Sequence, residues 1–457
     1  MTLNDTIVAL ATPSGSGAIA IIRVSGKNAL RIASSVFQSV SNKKLQNQKS
    51  HTVHLGYIVD KKTTIDQVLA TVFKAPHSYT GENIVEFSCH GSNYIQQEII
   101  QLLIKKGCRV AKPGEFTLQA FLNGKMDLSQ AEAVADLIAS NSKASHRLAM
   151  QQMKGGFATK IKTLRQQLLD FASLIELELD FTEEDVAFAD KKQFQLLITE
   201  IKETVKYLID SFATGNVLKN GVPVAIIGRP NAGKSTLLNA LLNEERAIVS
   251  TIAGTTRDTI EDEVTIKGIR FRFIDTAGLR ETHDKIEKIG VTKALEKLEK
   301  SAIYIYLFDA SSLTPQEVKK DLKKLGHDQK QIVVANKVDL LTEKKIDIFT
   351  DAGIDCIKQS AKNKTGLTEL TNRLLEKSEA ERLQSNEFLI TNSRHYASLQ
   401  NALKSITQIQ DGIDSNRSGD LLAIDIRETL FYLGEITGEV TNDELLGNIF
   451  ANFCIGK

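Results

Sequence analysis

Apolar and polar positions along the chain change rhythm three times. Through the first ~118 residues, short β-rich runs at 19–24, 54–59, 68–73 and 84–89 alternate with polar stretches, and a helical segment is expected near 95–105. That mixture predicts an α+β domain over 1–118. The Gly15-Ser-Gly17 turn precedes its strand rather than following it, so it is no dinucleotide-binding fingerprint. From 119 to 216 the period lengthens: Leu164, Leu168, Phe171 and Ile175 recur at helical spacing, as do Leu422, Ile426, Leu430 and Leu433 near the other end. These stripes read as core. Pro13, Pro76, Pro113, Pro223, Pro230 and Pro315 all lie outside 114–222 and 316–457, which leaves long helices uninterrupted there. Ser129-x-x-Glu132 has the form of a capping box ahead of an apolar run at 133–138.

Between the helical stretches stand four apolar runs of strand length, 222–227, 271–274, 332–335 and 354–357, each leading into a polar motif. The first opens onto Gly228-Arg-Pro-Asn-Ala-Gly-Lys-Ser235, the spacing of a phosphate-binding loop. Glycines let successive backbone N–H groups face the phosphates, Lys234 reaches the terminal phosphate charge, and the Ser235 hydroxyl binds Mg²⁺. The helix expected at 236–242 aims its positive end at the same anion. After the second run, Asp275-Thr-Ala-Gly278 suits an Mg²⁺–water contact and a backbone N–H facing the γ-phosphate. After the third, Asn336-Lys-Val-Asp339 offers a carboxylate that pairs with the N1–H and exocyclic amine of guanine, which adenine lacks. Ser360-Ala-Lys362 follows the fourth and fits a loop backing the base. Thr256, in Gly254-Thr-Thr-Arg-Asp258, supplies the remaining Mg²⁺ hydroxyl. Asn-Lys-x-Asp or Asp-x-x-Gly alone is usually a solvated turn. Five elements in this order, each in its strand or loop context, define a GTPase domain over about 217–377.

Helical sequence flanks that domain on both sides, so it is expected as an insertion into one helical domain built from 119–216 and 378–457. The fold class expected is therefore multidomain, α+β and α/β with a discontinuous all-α part. Where Ras-like GTPases carry a water-orienting glutamine, this chain has Leu279, which cannot hydrogen-bond water. Glu287 is the acidic candidate for that task; its other reading is a solvated helix face. Arg229, Arg257 and Arg280 lie near the phosphates in sequence and are candidates for charge stabilisation. A monovalent cation held by the neutral oxygen of Asn231 is another, and spacing does not choose between them.

Composition adds few restrictions. The 457 residues are 42% hydrophobic and 25% charged, with a net charge of +1, so any RNA contact must use a local patch. Cys89, Cys108, Cys356 and Cys454 lack paired metal-ligand spacing and, with the GTPase, point to a reducing cytosol. Residues 1–10 have no basic n-region, so no signal peptide is expected, and no apolar run approaches the ~18–20 residues of a membrane span. A cytoplasmic protein without membrane contact is the expectation.

The two ends extend the reading. Asp5-Thr-Ile-Val-Ala9, Ala11-Thr-Pro13, Arg23-Val-Ser-Gly26, Tyr79-Thr-Gly-Glu82, Pro113-Gly-Glu-Phe116, Ala120-Phe-Leu-Asn123 and the terminal Cys454-Ile-Gly-Lys457 join the nucleotide motifs in one order. With them the whole chain resembles the tRNA-modification GTPases of the MnmE or TrmE family. The resemblance implies a folate-binding N-terminal domain that also forms a homodimer. It implies an FAD-containing partner of the MnmG (GidA) type, in a heterotetramer, and tRNA as substrate. The complex would add an aminomethyl or carboxymethylaminomethyl group at C5 of the wobble uridine, with 5,10-methylenetetrahydrofolate as one-carbon donor. Carried onto matching positions, Arg23, Glu82, Lys125 and Lys457 would contact the folate. Asn231, with Ser250, Ile252 and Thr255, would hold K⁺. The nucleotide contacts would comprise Asn231, Ala232, Gly233, Lys234, Ser235, Thr236, Ser250, Thr251, Ile252, Ala253, Gly254, Thr255, Thr256, Asp275, Thr276, Ala277, Gly278, Asn336, Lys337, Asp339, Ser360, Ala361 and Lys362. Glu287 aligns with the acid that orients water. Cys454 reads as an ordinary buried thiol; the tail's implied nearness to folate keeps a reactive role open beside that. The alternative function is a GTP-dependent RNA-binding switch in ribosome assembly, whose sign would be a basic, glycine-marked RNA module; none is visible after Lys377.

Overall fold

A computed structural model gives the fold and describes residues 5–180, 191–244, 262–274, 301–326, 330–378, 389–415, 417–451 and 453–456. The chain divides into two compact units. One comprises Met1–Ile138, Gln152–Ile201 and Asn401–Lys457; the other comprises Ala139–Gln151 and Lys202–Gln400.

The first unit carries a seven-stranded sheet of β1 (Ile7–Leu10), β2 (Ile19–Ser25), β3 (Phe37–Ser39), β4 (Thr52–Asp60), β5 (Thr63–Phe73), β6 (Ile84–His90) and β7 (Arg109–Val110), in the order β3-β4-β5-β6-β2-β1-β7. Its pairings are antiparallel except that of β7 with β1. Alternation sends Ile22, Val24, Ile58, Val68, Val85 and Phe87 inward against Ile32 of α1 (Ala29–Val36) and Ile99 and Leu103 of α2 (Asn93–Lys105). Val53, Leu55 and Tyr57 of β4 and Leu69 of β5 point the other way and stay exposed, with Leu55 directly opposite Leu69. β3 and β7 are too short for periodicity to announce them, and α3 (Glu115–Leu122) is buried from Phe116 through Ala120, which erases a helical stripe.

The helices continue as α4 (Leu128–Ala139), α5 (Lys143–Met153), α6 (Gly156–Asp180) and α7 (Lys191–Asn220). After the second sheet's own helices come α12 (Ser393–Asp414), α13 (Gly419–Thr437) and α14 (Asp443–Ala451). The cap expected at Ser129 stands two residues earlier. The Asp127 carboxylate accepts from Gln130 N at 2.9 Å, and Gln130 Oε1 accepts from Asp127 N at 2.9 Å, leaving Ser129 and Glu132 buried within α4. An aspartate caps as well as a serine, and Gln130 closes the reciprocal pair at the right spacing. On α6, Leu164, Leu168 and Ile175 are buried and Phe171 is half-buried against Phe194, ring centroids 5.4 Å apart. α6 packs on α13, where Ile426, Leu430 and Leu433 are buried, each buried side chain contributing ~1.5–3 kcal/mol, while Leu422 is only half-buried.

The second unit carries a six-stranded sheet of β8 (Val222–Ile227), β9 (Asp262–Ile266), β10 (Ile269–Phe273), β11 (Ile303–Asp309), β12 (Gln331–Asn336) and β13 (Ile357–Lys358), in the order β13-β12-β11-β8-β10-β9. All pairings are parallel except β9 with β10. Its helices are α8 (Lys234–Glu244), α9 (Pro315–Leu325), α10 (Glu343–Asp351) and α11 (Leu367–Ser378). β8 and β11 are apolar almost throughout because helices cover both faces of a parallel sheet. Leu237, Leu241, Leu370 and Leu374 fill one face, and Phe308, Val318 and Phe349 the other. The strand expected over 354–357 pairs only at its end, as β13: Ile354 turns into the core straight after Gly353, a left-handed residue at φ 76°. Among the described residues no helix is long and apolar enough to cross a membrane.

Candidate functional site

A parallel sheet aligns the carboxyl ends of its strands, and three of the four polar motifs leave β8, β12 and β13 at that edge. The loop after β8 passes through two left-handed residues, Asn231 at φ 61° and Gly233 at φ 96°, before α8 begins at Lys234. A Cβ on Gly233 would lie 2.3 Å from Asn336 Nδ2, so glycine is required where this loop meets the base motif. Lys234 Nζ donates to the carbonyls of Gly228 at 2.8 Å and Arg229 at 3.0 Å, folding its ammonium over the loop. Ser235 stands half-buried in the first turn of α8, where the helix end favours anions.

Asn336 holds the other side. Its side chain is buried; Nδ2 donates to Ala232 O at 2.8 Å and Oδ1 accepts from Ala361 N at 3.0 Å. One amide thus joins the phosphate loop, the Asn-Lys-x-Asp turn and the Ser-Ala-Lys loop. Gly233, Thr236, Asn336, Lys337, Asp339, Ser360, Ala361 and Lys362 line a single cavity of about 290 Å³. Lys337 is itself left-handed, φ 63°, and its ammonium lies 2.7 Å from Asp309 Oδ2 at the end of β11. Burial raises the Asp309 pKa, but bonds from Lys337 and from Ser311 N and Oγ outweigh it and hold the carboxyl below its usual range. Asp309 was not singled out from sequence, although it ends an apolar strand as Asn336 does.

Arg229, a candidate for charge stabilisation, is paired with two carboxylates. Its Nε lies 2.8 Å from Asp321 and its Nη1 3.3 Å from Glu317, both on α9. Tyr306 donates to the same Asp321 oxygen at 2.9 Å. Ser250, Thr251, Ile252, Ala253, Gly254, Thr255, Thr256, Arg257, Asp275, Thr276, Ala277, Gly278, Arg280, Glu287 and Lys457 lie outside the described residues.

In the first unit a second cluster gathers around segment 76–82. Arg23 pairs with Glu86 at 2.7 Å, its guanidinium lies 5.5 Å from the ring centroids of both Tyr79 and Phe116, and its Nη1 donates to Gly456 O at 3.2 Å. Ser25 Oγ donates to Glu82 at 3.4 Å and meets Thr80 Oγ1 at 2.8 Å. Burial raises the Glu82 pKa against the opposing effects of Ser25 and Lys27. Lys125 Nζ donates to Pro76 O at 3.1 Å, and Asn123 Nδ2 to Thr80 O at 2.7 Å. The structure therefore brings Arg23, Glu82 and Lys125 to one loop with the chain's tail. That tail is held by Gly456, at φ 95°, where a Cβ would lie 2.2 Å from Leu10 O, and by Gly114 N donating to Cys454 O at 3.3 Å. Cys454 is exposed rather than buried, because its carbonyl, not its side chain, makes the contact. Nothing in the residue types of Tyr79, Phe116 and Gly456 foretold that they would meet.

Family models match most of the chain: the GTP-binding protein TrmE N-terminus over residues 6–125 and the MnmE helical domain over 128–454. The tRNA modification GTPase MnmE of Flavobacterium psychrophilum is 60% identical across 100% of both chains, and that of Christiangramia forsetii 59% across 100% of both. The chain belongs to the MnmE family of tRNA modification GTPases. A solved structure, the G domain of the T. maritima FeoB iron transporter, is 26% identical over 34% of this chain and 98% of that one, with a TM-score of 0.26, too partial a likeness to inform the fold. As a GTPase of the MnmE family the protein is an enzyme that uses a guanine nucleotide with Mg²⁺. The loop whose Gly233 leaves no room for a side chain, and the Ser235 hydroxyl at its helix end, fit that pair.

Proposed function

We propose that the protein is the GTP-hydrolysing component of a tRNA-modifying complex that places an aminomethyl or carboxymethylaminomethyl group on C5 of the wobble uridine. The observation that carries this reading is the 290 Å³ cavity, where phosphate-loop and guanine-motif residues meet in a chain related over its full length to tRNA modification GTPases. In it, Asp339 accepts from guanine, Asn336 keeps three loops in register, Lys234 and the loop N–H groups hold the phosphates, and Ser235 with Thr256 holds Mg²⁺. Glu287 orients the attacking water, and Asn231, with Ser250, Ile252 and Thr255, holds K⁺. The GTPase domain, 217–377, is an insertion between the helical segments 119–216 and 378–457, and its motion gates modification rather than performing the carbon chemistry.

Methylenetetrahydrofolate supplies the carbon in this reading. Arg23, Glu82, Lys125 and Lys457 bind and orient it; the flat aromatic faces of Tyr79 and Phe116 beside Arg23 suit a planar heterocycle, and the half-buried Glu82 suits a ring donor. The exposed row Val53, Leu55, Tyr57 and Leu69 supports homodimerisation through the N-terminal sheet, since such an apolar face is rarely left in water. An FAD-containing MnmG-type protein is the partner. Mass spectrometry of tRNA nucleosides from a strain lacking the protein tests the whole: loss of the modified wobble uridine supports it, and normal tRNA with stalled ribosomal subunits favours the ribosome-assembly alternative. Within it, Glu287→Ala should slow hydrolysis while sparing GTP binding, and K⁺ should outpace Na⁺ at equal ionic strength.

A further inference from the structure

The second unit has another concavity, at the opposite edge of its sheet from the nucleotide motifs. β12 enters it at Gln331 and leaves it toward Asn336, about 16 Å away at ~3.3 Å per residue. Its volume is about 570 Å³, twice that of the guanine cavity, and its charged lining is Lys319, Lys323, Arg373 and Lys377 against Asp355 alone. The rest of the wall is largely apolar, including Leu322, Ile354 and Ile357.

The sequence of α9 explains why the cations collect there. Val318, Leu322 and Leu325 form its core stripe. Glu317 and Asp321 flank that stripe on one side and take Arg229 of the phosphate loop. Lys319 and Lys323, one turn apart, flank it on the other and face the cavity, at ~100° of rotation per residue. Lys319 and Lys323 make no ion pair with the described residues, whereas Arg373 is shared with Asp355 at 3.3 Å and Glu376 at 3.9 Å. Gln331 also lines the cavity, its buried Nε2 without a hydrogen-bond partner among the described residues. Four cations against one carboxylate, over an apolar wall that can take a base or ribose, fit an anionic ligand.

We propose that this cavity is a contact site for the phosphodiester backbone of tRNA, with Lys319 and Lys323 meeting successive phosphates and the apolar wall taking a nucleoside. A chain of net charge +1 has no global field for RNA, so binding has to be concentrated in such a patch. The inference rests on the reading that tRNA is the substrate and adds where the G-domain side of the protein meets it.

The test uses the full chain and labelled tRNA. In K319E/K323E, affinity at low salt should fall about tenfold or more, and the slope of log affinity against log salt should flatten by about 1.5–2 units, near one per lost phosphate contact. GTP binding and basal hydrolysis should not change, since neither lysine touches the nucleotide site. Reversing two exposed lysines elsewhere on the domain, K344E/K345E, should leave affinity and slope alone. Equal tRNA affinity and slope in K319E/K323E and the parent protein would overturn the site. So would an equal loss in K344E/K345E, or competition by polyglutamate or free GTP as effective as that by tRNA. Normal wobble uridine in the deletion strain defeats the functional reading itself; a lost modification with unaltered K319E/K323E binding defeats only this site.

Discussion

The cavity around Asn336 and the Arg23 cluster are both assembled from distant segments, yet they are built on different logic. In the second sheet, β8, β12 and β13 run parallel and carry their motifs to one edge, so each motif can be recognised by its place at the end of an apolar strand. In the antiparallel sheet, Arg23 sits mid-strand on β2, its aromatic neighbours come from a loop and from α3, and its last partner is a carbonyl 433 residues away. The first arrangement leaves a regular trace in sequence. The second depends on long-range packing.

That contrast can be broken experimentally. The largest effect should come from Asn336→Ala, which strands a buried carbonyl and a buried N–H at once; at ~1–3 kcal/mol each, guanine-nucleotide affinity should fall roughly 30-fold to 10⁴-fold by calorimetry. An affinity within threefold of the parent protein would mean the three loops do not depend on this amide. Gly456→Ala forces a Cβ against Leu10 O at a strained φ, a cost of ~1–3 kcal/mol confined to the tail. It should speed proteolysis near the C-terminus and weaken the folate binding proposed here while GTP affinity stays put; a matched loss of GTP affinity would deny that the two sites are separable. Next in size is Asp309→Ala, which frees Lys337 and should weaken GTP binding about threefold to tenfold. Because the Asp309 pKa is depressed by folding, its contribution is present above the unfolded value and fades as pH falls through the folded one, so the difference between variant and parent stability should shrink in acid.

Smallest should be Arg229→Ala. Its ion pairs are substantially exposed, and such pairs contribute ~0–1 kcal/mol, so hydrolysis should change less than fivefold. A thousandfold loss would restore Arg229 as the group that stabilises transferring charge. On the other side, Glu82→Gln should raise thermal stability at neutral pH even as it removes the folate contact proposed for it. Burial lifts the Glu82 pKa, so its ionisation opposes folding above that pKa and ceases to matter below the unfolded value; the stability gain should vanish in acid.

Sequence by itself determined the membership in a GTPase family and the phosphate-loop and Asn-Lys-x-Asp motifs that the second unit carries, because such motifs demand particular residues at fixed distances from strand ends. It also determined where α6 and α13 turn their apolar stripes, since 3.6-residue periodicity is a local property. Tertiary structure alone decided that Asp127 rather than Ser129 caps α4, that Arg229 pairs with α9, and that Asp309 holds Lys337. It alone placed Gly456 beside Arg23 and gathered four cations around Gln331. Each of these rests on a contact between segments far apart in the chain, and such contacts are fixed by how elements pack, which residue spacing does not encode.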